Sequence, residues 1–134
     1  MSIAVHISTA ASLGGNDEAR DELFDDTEAP VYWTLVPMFR QIEQKTGLLI
    51  DQYGTVVFPS GQIPALLKTL ADARKDFSSR PVGWPVSMGT EVRPAYRELT
   101  GLVSRTDVLT MLERLERLAK EAFESSSSLW FVGD

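Results

Sequence analysis

A long amphipathic helix followed by an apolar strand constrains the fold of this chain more than any other feature. Between positions 105 and 124, apolar residues recur every three or four positions, at Val108, Leu112, Leu115, Ala119 and Ala122. This spacing predicts a helix with one buried face, capped by Ser104 or Thr106. The run Leu129-Trp130-Phe131-Val132 then predicts a strand. A strand this apolar must be docked in a sheet, because a free one would be an aggregation-prone edge.

Two more helices are predicted upstream of this one. Apolar residues fall at helical spacing at Tyr32, Leu35, Phe39 and Ile42. They predict a helix over about 34–46 that ends at Gly47, with Pro37 either kinking it or marking its start. A second apolar stripe consists of Ile63, Leu66, Leu67, Leu70 and Phe77. It predicts a helix over about 62–78, which Ser60 can cap.

Strand patterns occur in two other places. Ile3, Val5 and Ile7 alternate with smaller or polar residues, which predicts a first strand. The β-rich runs 48–50 and 55–58 are separated by a short segment ending in Gly54, which predicts a β-hairpin. Residues 9–30 are predicted to be a long loop with one helical turn around 18–24, and residues 79–94 a loop with one irregular strand.

The order of these elements predicts one globular domain over 1–134 with an α+β fold. Its three amphipathic helices, at about 34–46, 62–78 and 105–124, would cover one face of a mixed or mainly antiparallel sheet. Such a two-layer arrangement buries the apolar stripe of each helix against the sheet.

Composition excludes several classes of protein. The 134 residues include no cysteine and one histidine, so disulfide frameworks, thiolate metal sites and cysteine nucleophiles are excluded. No apolar run approaches the roughly 18 residues that would span a bilayer. The chain also begins without the basic and apolar regions of a signal peptide, so a soluble, cytoplasmic protein with no membrane partner is expected.

Negative charge is concentrated in one segment. The net charge is −6, and residues 17–28 hold seven acids against one base, Arg20, while the other 122 residues balance at 12 acids and 12 bases. The segment therefore disfavours nucleic acid and favours a basic protein partner. The predicted binding residues are Asp17, Glu18, Asp21, Glu22, Asp25 and Asp26. The alternative is a solvated loop without a partner. The glycine and glutamate positions of a calcium loop are absent.

The remaining candidate residues predict no catalytic site and no cofactor. His6, the sole histidine, has no serine in an activating turn near it in the sequence, so it is interpreted as an ordinary strand residue. Asp51 and Asp134 could form a carboxylate pair, but the simpler interpretation gives Asp51 to an Asx turn. Trp84 is either an exposed contact, and is then a further partner-binding residue, or packs back on the core.

Part of the chain resembles a group of small bacterial proteins. The resemblance rests on Asp51-Gln52-Tyr53-Gly54-Thr55, on Gln62-Ile63, and on the closing Phe131-Val132-Gly133-Asp134. In that group a D-P-Y-G-D-T-x-F hairpin and a glutamine precede a helix, and the last strand ends in F-[IV]-G-D. The resemblance implies the order of elements in the C-terminal two-thirds. Since the chain is small, acidic and without catalytic motifs, it is also similar in general type to immunity proteins of bacterial toxin systems.

Three hypotheses about function follow. The first is a non-catalytic, immunity-type inhibitor that masks a basic toxin or effector with its acidic segment. The second is a self-associating structural or regulatory subunit, whose 105–124 helix and terminal strand pair with a second copy in a homodimer or with another protein. The third is a small metal-dependent hydrolase that uses Asp51, Asp134 and the acidic segment.

Overall fold

The computed structural model describes residues 2–10, 13, 18–91 and 97–133. The strands are β1 (Ile3–Ser8), β2 (Asp21–Leu23), β3 (Thr55–Phe58), β4 (Gly83–Glu91), β5 (Arg97–Ser104) and β6 (Ser128–Gly133). The helices are α1 (Ala29–Thr46), α2 (Ile63–Ser78) and α3 (Arg105–Glu124). Short 3₁₀ turns at Asp26–Glu28 and Ser60–Gln62 precede α1 and α2. No helix in these ranges is long and apolar enough to cross a bilayer.

The fold is α+β, as predicted. Four strands form an antiparallel sheet in the order β2-β1-β6-β3. On one face of this sheet, Val5 and Phe131 are Cα partners, and both belong to the core that also contains Leu35, Leu66 and Leu112 of the three helices. The apolar strand β6 is docked between β1 and β3, which confirms the expectation that it needs a sheet.

A second, two-stranded sheet contains the irregular strand predicted within 79–94 and corrects the prediction that the rest of this stretch is a loop. The strands β4 and β5 pair antiparallel, with a register shift between Ser87 and Thr90. Proline and glycine obscured this hairpin, since Pro85 has no N–H to donate to a strand ladder. The Cα partner of Pro85 in this pairing is Leu102. Because the Arg105 N–H donates to the Val82 carbonyl and hydrogen-bonded pairs alternate, Pro85 and Leu102 form a non-hydrogen-bonded pair. The backbone of Pro85 therefore faces away from β5, and its missing N–H costs the hairpin no hydrogen bond.

The predicted hairpin over 48–58 is wrong. Residues 48–50 form no strand, and β3 pairs instead with β6, through Val56 and Phe131. Ile50 is buried in the core, and the backbone N–H of Gln52 donates to the hydroxyl of Tyr32 at 3.4 Å. Packing against α1 therefore decides the path of 48–52, and local β propensity does not.

The start of α1 also differs from the prediction. The helix begins at Ala29 rather than near 34, with Pro30 in its first turn and Pro37 inside it. The predicted helical turn around 18–24 is likewise wrong, because residues 21–23 form the edge strand β2 and bury Leu23 in the core. Tertiary burial overrides the weak local preference of this acidic stretch.

The two predicted helix caps have different outcomes. The Ser104 hydroxyl accepts the Asp107 N–H at 3.1 Å, which confirms it as the cap of α3. Ser60 is not a side-chain cap of α2, because that helix follows the 3₁₀ turn and has Gln62 before its first residue, with no side-chain bond. The proline at the first turn of α2 has no N–H that needs a cap.

Candidate protein-binding surface

The acidic segment is attached to the sheet rather than extended into solvent. Of the predicted binding residues, Asp17 lies outside the described part of the chain. From residue 20 onward the segment follows β1, where the Arg20 N–H donates to the Val5 carbonyl at 2.6 Å. β2 then pairs with β1 through Asp21, Glu22 and Leu23. The predicted long loop therefore has a fixed backbone over its second half.

Arg114 of α3 holds this segment through its guanidinium group. Its Nη2 and Nε donate to the two carboxylate oxygens of Asp21, at 2.9 and 3.3 Å. Its Nη1 donates to Glu28 at 3.3 Å, and Nη2 also donates to the Glu22 carbonyl at 3.1 Å. A bidentate arginine–carboxylate pair fixes orientation as well as charge. Arg114 therefore joins β2 and the start of α1 to the middle of α3.

A second arginine joins the segment to the other half of α3. Arg20 forms an ion pair with Glu121, and both side chains are substantially exposed. Exposed pairs contribute about 0–1 kcal/mol. Arg20 therefore contributes less to holding the segment than Arg114, whose side chain is only 26% exposed.

Asp25 has a structural role within the segment. Its carboxylate accepts the Thr27 hydroxyl at 2.6 Å and the backbone N–H groups of Thr27 and Glu28 at 2.9 and 3.2 Å. The Glu28 side chain in turn accepts the Asp25 N–H at 3.1 Å, which completes a capping box. The Thr27 hydroxyl, followed by the two amides, lowers the pKa of Asp25 below its ordinary 3.8.

This geometry predicts the titration of Asp25. Because its pKa is lowered in the folded protein, its contribution to stability is complete above pH 3.8 and is lost as the pH falls through the folded pKa. Carboxyl carbon NMR should give a midpoint for Asp25 below 3.8. Thr27→Val should move that midpoint upward. A wild-type midpoint at or above the ordinary value would contradict the capping geometry.

Two acids of the segment keep their carboxylates available. Glu18 and Glu22 are exposed, and within the described ranges neither carboxylate makes a hydrogen bond or ion pair. Asp26 is exposed as well. Asp21 faces Arg114 and Asp25 caps a turn, so these two predicted binding residues have structural roles. Glu18, Glu22 and Asp26 are the exposed ones.

Sequence reasoning missed Arg114, although a signal for it was available. Arg114 lies three positions after the buried Met111 and one before the buried Leu115. A charged residue beside the buried stripe of an amphipathic helix needs a partner. The identity of that partner was not readable, because Asp21 lies 93 residues away in the chain.

Trp84 packs against α2. Its ring stacks on Phe77 of α2, with centroids 5.9 Å apart and planes 13° apart, and the Arg80 guanidinium lies over the Phe77 ring. Trp84 is half-buried and packs against the core. Trp84 thus stabilises the β4–β5 hairpin against α2, and only part of the ring is available to a partner.

The other sequence candidates are placed separately. Asp51 accepts the Tyr53 N–H at 3.3 Å, which confirms its Asx turn, and Asp134 lies outside the described residues. His6 lies on the sheet face opposite the core, beside its Cα partner Trp130. The His6 Nδ1 and Trp130 Nε1 atoms are buried without a hydrogen-bond partner. Within the ranges described, no three acidic or histidine side chains are grouped as metal ligands.

An open cleft of about 590 Å³ lies between α2 and α3. Glu116 lies in it, with Oε1 2.9 Å from Nε of Arg74. The other lining residues are Glu113, Arg117, Lys120, Glu121 and Glu124. Because three basic and four acidic side chains line the cleft, its net charge is close to zero.

The chain matches no protein-family model, no curated protein and no solved structure.

Proposed function

We propose that this protein is a non-catalytic binding protein whose acidic segment docks on a basic protein surface. The observation that carries this proposal is the set of hydrogen bonds from the Arg114 guanidinium to Asp21, Glu22 and Glu28, which we call the Arg114 clamp. It fixes β2 through Asp21 while the Glu18 and Glu22 carboxylates remain in solvent. Glu22 is therefore presented from a fixed backbone, and Glu18 lies two residues before the first backbone bond of the segment to β1.

An acidic surface with a fixed backbone supports a role in binding a partner more than a role in solubility alone. Charge alone keeps a protein soluble, and a loose loop would do so equally well. A docking surface gains from preorganisation, since side chains and backbone that are already held lose less entropy when a partner binds. Negative charge also steers a basic partner into encounter. The two effects together favour rapid and selective association.

In its most specific form, the proposal is an immunity-type inhibitor. Toxins and effectors that act on nucleic acids carry basic active sites, because they bind phosphates. An acidic surface that covers such a site would block it without chemistry of its own. This form of the proposal rests on charge complementarity and on the similarity of type given above.

The experiment compares two double variants of equal charge. The protein is used to capture partners from a lysate of its native organism, and the captured protein is purified for affinity measurements at low and high salt. We expect a basic partner whose binding weakens with salt. Glu18→Gln with Glu22→Gln should weaken binding at least about tenfold at low salt.

The matched control neutralises two exposed acids of α3, Glu113→Gln with Glu124→Gln. This control should stay within about twofold of the wild type, since it removes the same charge from another surface. Equal loss in both double variants would reduce the effect to net charge and contradict the proposed surface. Capture of only neutral or acidic partners would contradict it as well.

A further inference from the structure

The edges of the two sheets are protected to different degrees. Exposed strand edges invite pairing with another chain, and proteins blunt them with short strands, charges, prolines or bulges. β2 and β3, the edges of the larger sheet, have three and four residues. β4 contains Pro85 and a register shift. β5 has eight residues and no proline.

The outward groups of β5 can be assigned from its hydrogen bonds. The Arg105 N–H donates to the Val82 carbonyl at 2.8 Å, so these residues form a hydrogen-bonded pair. In antiparallel strands hydrogen-bonded and non-hydrogen-bonded pairs alternate. The pairs Pro85↔Leu102 and Ser87↔Thr100 are therefore non-hydrogen-bonded. The N–H and C=O groups of Thr100 and Leu102 face away from β4.

This outward edge has no partner in the described part of the chain. β5 pairs only with β4, and no backbone hydrogen bond from another described element reaches Thr100 or Leu102. Leu102 is 82% exposed, and Leu99 of the same strand is 37% exposed. The edge thus combines free backbone groups with apolar side chains at the surface.

The same stretch carries no charge. Residues 82–89 and 99–104 contain no acidic or basic side chain, although 24% of the whole chain is charged. A basic or acidic peptide would gain no electrostatic attraction here. Over residues 99–104, two copies of this edge would meet without like-charge repulsion, which otherwise opposes self-association of a protein with net charge −6.

We propose that β5 pairs antiparallel with β5 of a second copy of this chain. A two-fold axis perpendicular to the strands would join the Thr100 and Leu102 backbone groups of both copies. It would convert two two-stranded sheets into one four-stranded sheet, and sheets of three or more strands are more stable than isolated hairpins. The two-fold pairing uses the open edge of each copy, so assembly closes at the dimer.

The expected dimer is weak. One strand edge with two or three apolar side chains buries less than the roughly 1,200 Å² of a stable interface. We expect a dissociation constant between about 10⁻⁵ and about 10⁻⁴ M. The proposed pairing uses none of the acidic residues of the segment, so the inference does not depend on the proposed function. Glu18→Gln with Glu22→Gln should leave the dimer unchanged.

Sedimentation velocity over a range from about 5 to about 500 μM tests the proposal. The wild type should change from monomer to dimer as its concentration rises. Leu102→Lys should remain monomeric, because it places a charge on the pairing edge. The matched control, Ser87→Lys, places the same charge on the same face at the β4 edge and should dimerise as the wild type does.

Amide hydrogen exchange identifies the edge directly. On going from low to high concentration, exchange at Thr100 and Leu102 should slow at least about fivefold, as their amides enter hydrogen bonds. The Val103 amide, which faces β4, should exchange slowly at both concentrations. A wild type that stays monomeric throughout, or a dimer in which the Thr100 and Leu102 amides exchange unchanged, would overturn the proposal. Protection only after another protein is added would do so too.

Discussion

Gly133→Ala should destabilise the fold by about 2 kcal/mol. A Cβ at this position would lie 2.8 Å from the backbone oxygen of Asp51 and closer still to the backbone carbonyl of Gln52. Backbone atoms cannot rotate away as a flexible side chain can, so the end of β6 or the 51–54 turn must shift. That shift would break the bond from the Gly133 N–H to the Gly54 carbonyl, which is 2.9 Å long.

Gly61→Ala is the matched control for this substitution. Nothing lies within 4 Å of a Cβ built at Gly61, so its effect should stay within about 0.5 kcal/mol. Urea unfolding followed by circular dichroism gives both free energies of unfolding. If Gly133→Ala stays within the range of the control, residues 51–52 do not pack against the end of β6 as described.

Arg114→Met should release the acidic segment and weaken partner binding. The substitution keeps most of the side chain's packing but removes the guanidinium that holds Asp21 and Glu28. All three side chains are about a quarter exposed, so water screens part of the loss. We expect a destabilisation of about 1–2 kcal/mol. Exchange of the β2 amides should accelerate more than that of the amides of β6.

The direction in which the affinity for a basic partner changes distinguishes an effect of preorganised geometry from an effect of charge. Arg114→Met makes the surface more negative by one charge, so a purely electrostatic surface would bind a basic partner more tightly. A preorganised surface should bind it more weakly, by about tenfold, because the partner must then order the segment. Tighter binding would contradict the proposal that the Arg114 clamp preorganises the binding surface.

Arg117→Met on the same helix is the control. It removes the same charge from the exposed cleft side of α3, away from the contacts of Arg114. Its effect on stability should be within about 0.5 kcal/mol. Its effect on β2 exchange should be absent. Binding that becomes equally tighter in both variants would make charge, rather than the clamp, responsible.

Local periodicity predicted some elements well. The bounds predicted for α2 and α3 agree with the structure to within a residue or two, because the apolar stripe of a helix repeats over several turns. The strands β1 and β6 were also visible in their apolar patterns. α1 was predicted five residues too short, since the capping box at Asp25 and Glu28 was not recognised as its approach.

Strand pairing was the least predictable part of the fold. Residues 48–50 have β propensity but pack as an irregular segment beside α1, while β3 crosses to β6. β2 is acidic and short, and β4 contains a proline, so neither shows the alternation of an ordinary strand. Each is a strand because of a partner distant in the sequence, which a local pattern does not contain.

Three features follow from the residues alone: the chain mixes helices with a sheet, its C-terminal apolar run lies inside that sheet, and its negative charge is concentrated before α1. Which of those acids are neutralised depends on the folded chain, because Arg114 meets Asp21 across 93 residues of chain. The folded chain also leaves β5 with an edge that no described residue covers. Both are contacts, or missing contacts, between distant segments, and a distance in space is not encoded in the spacing of residues along one element.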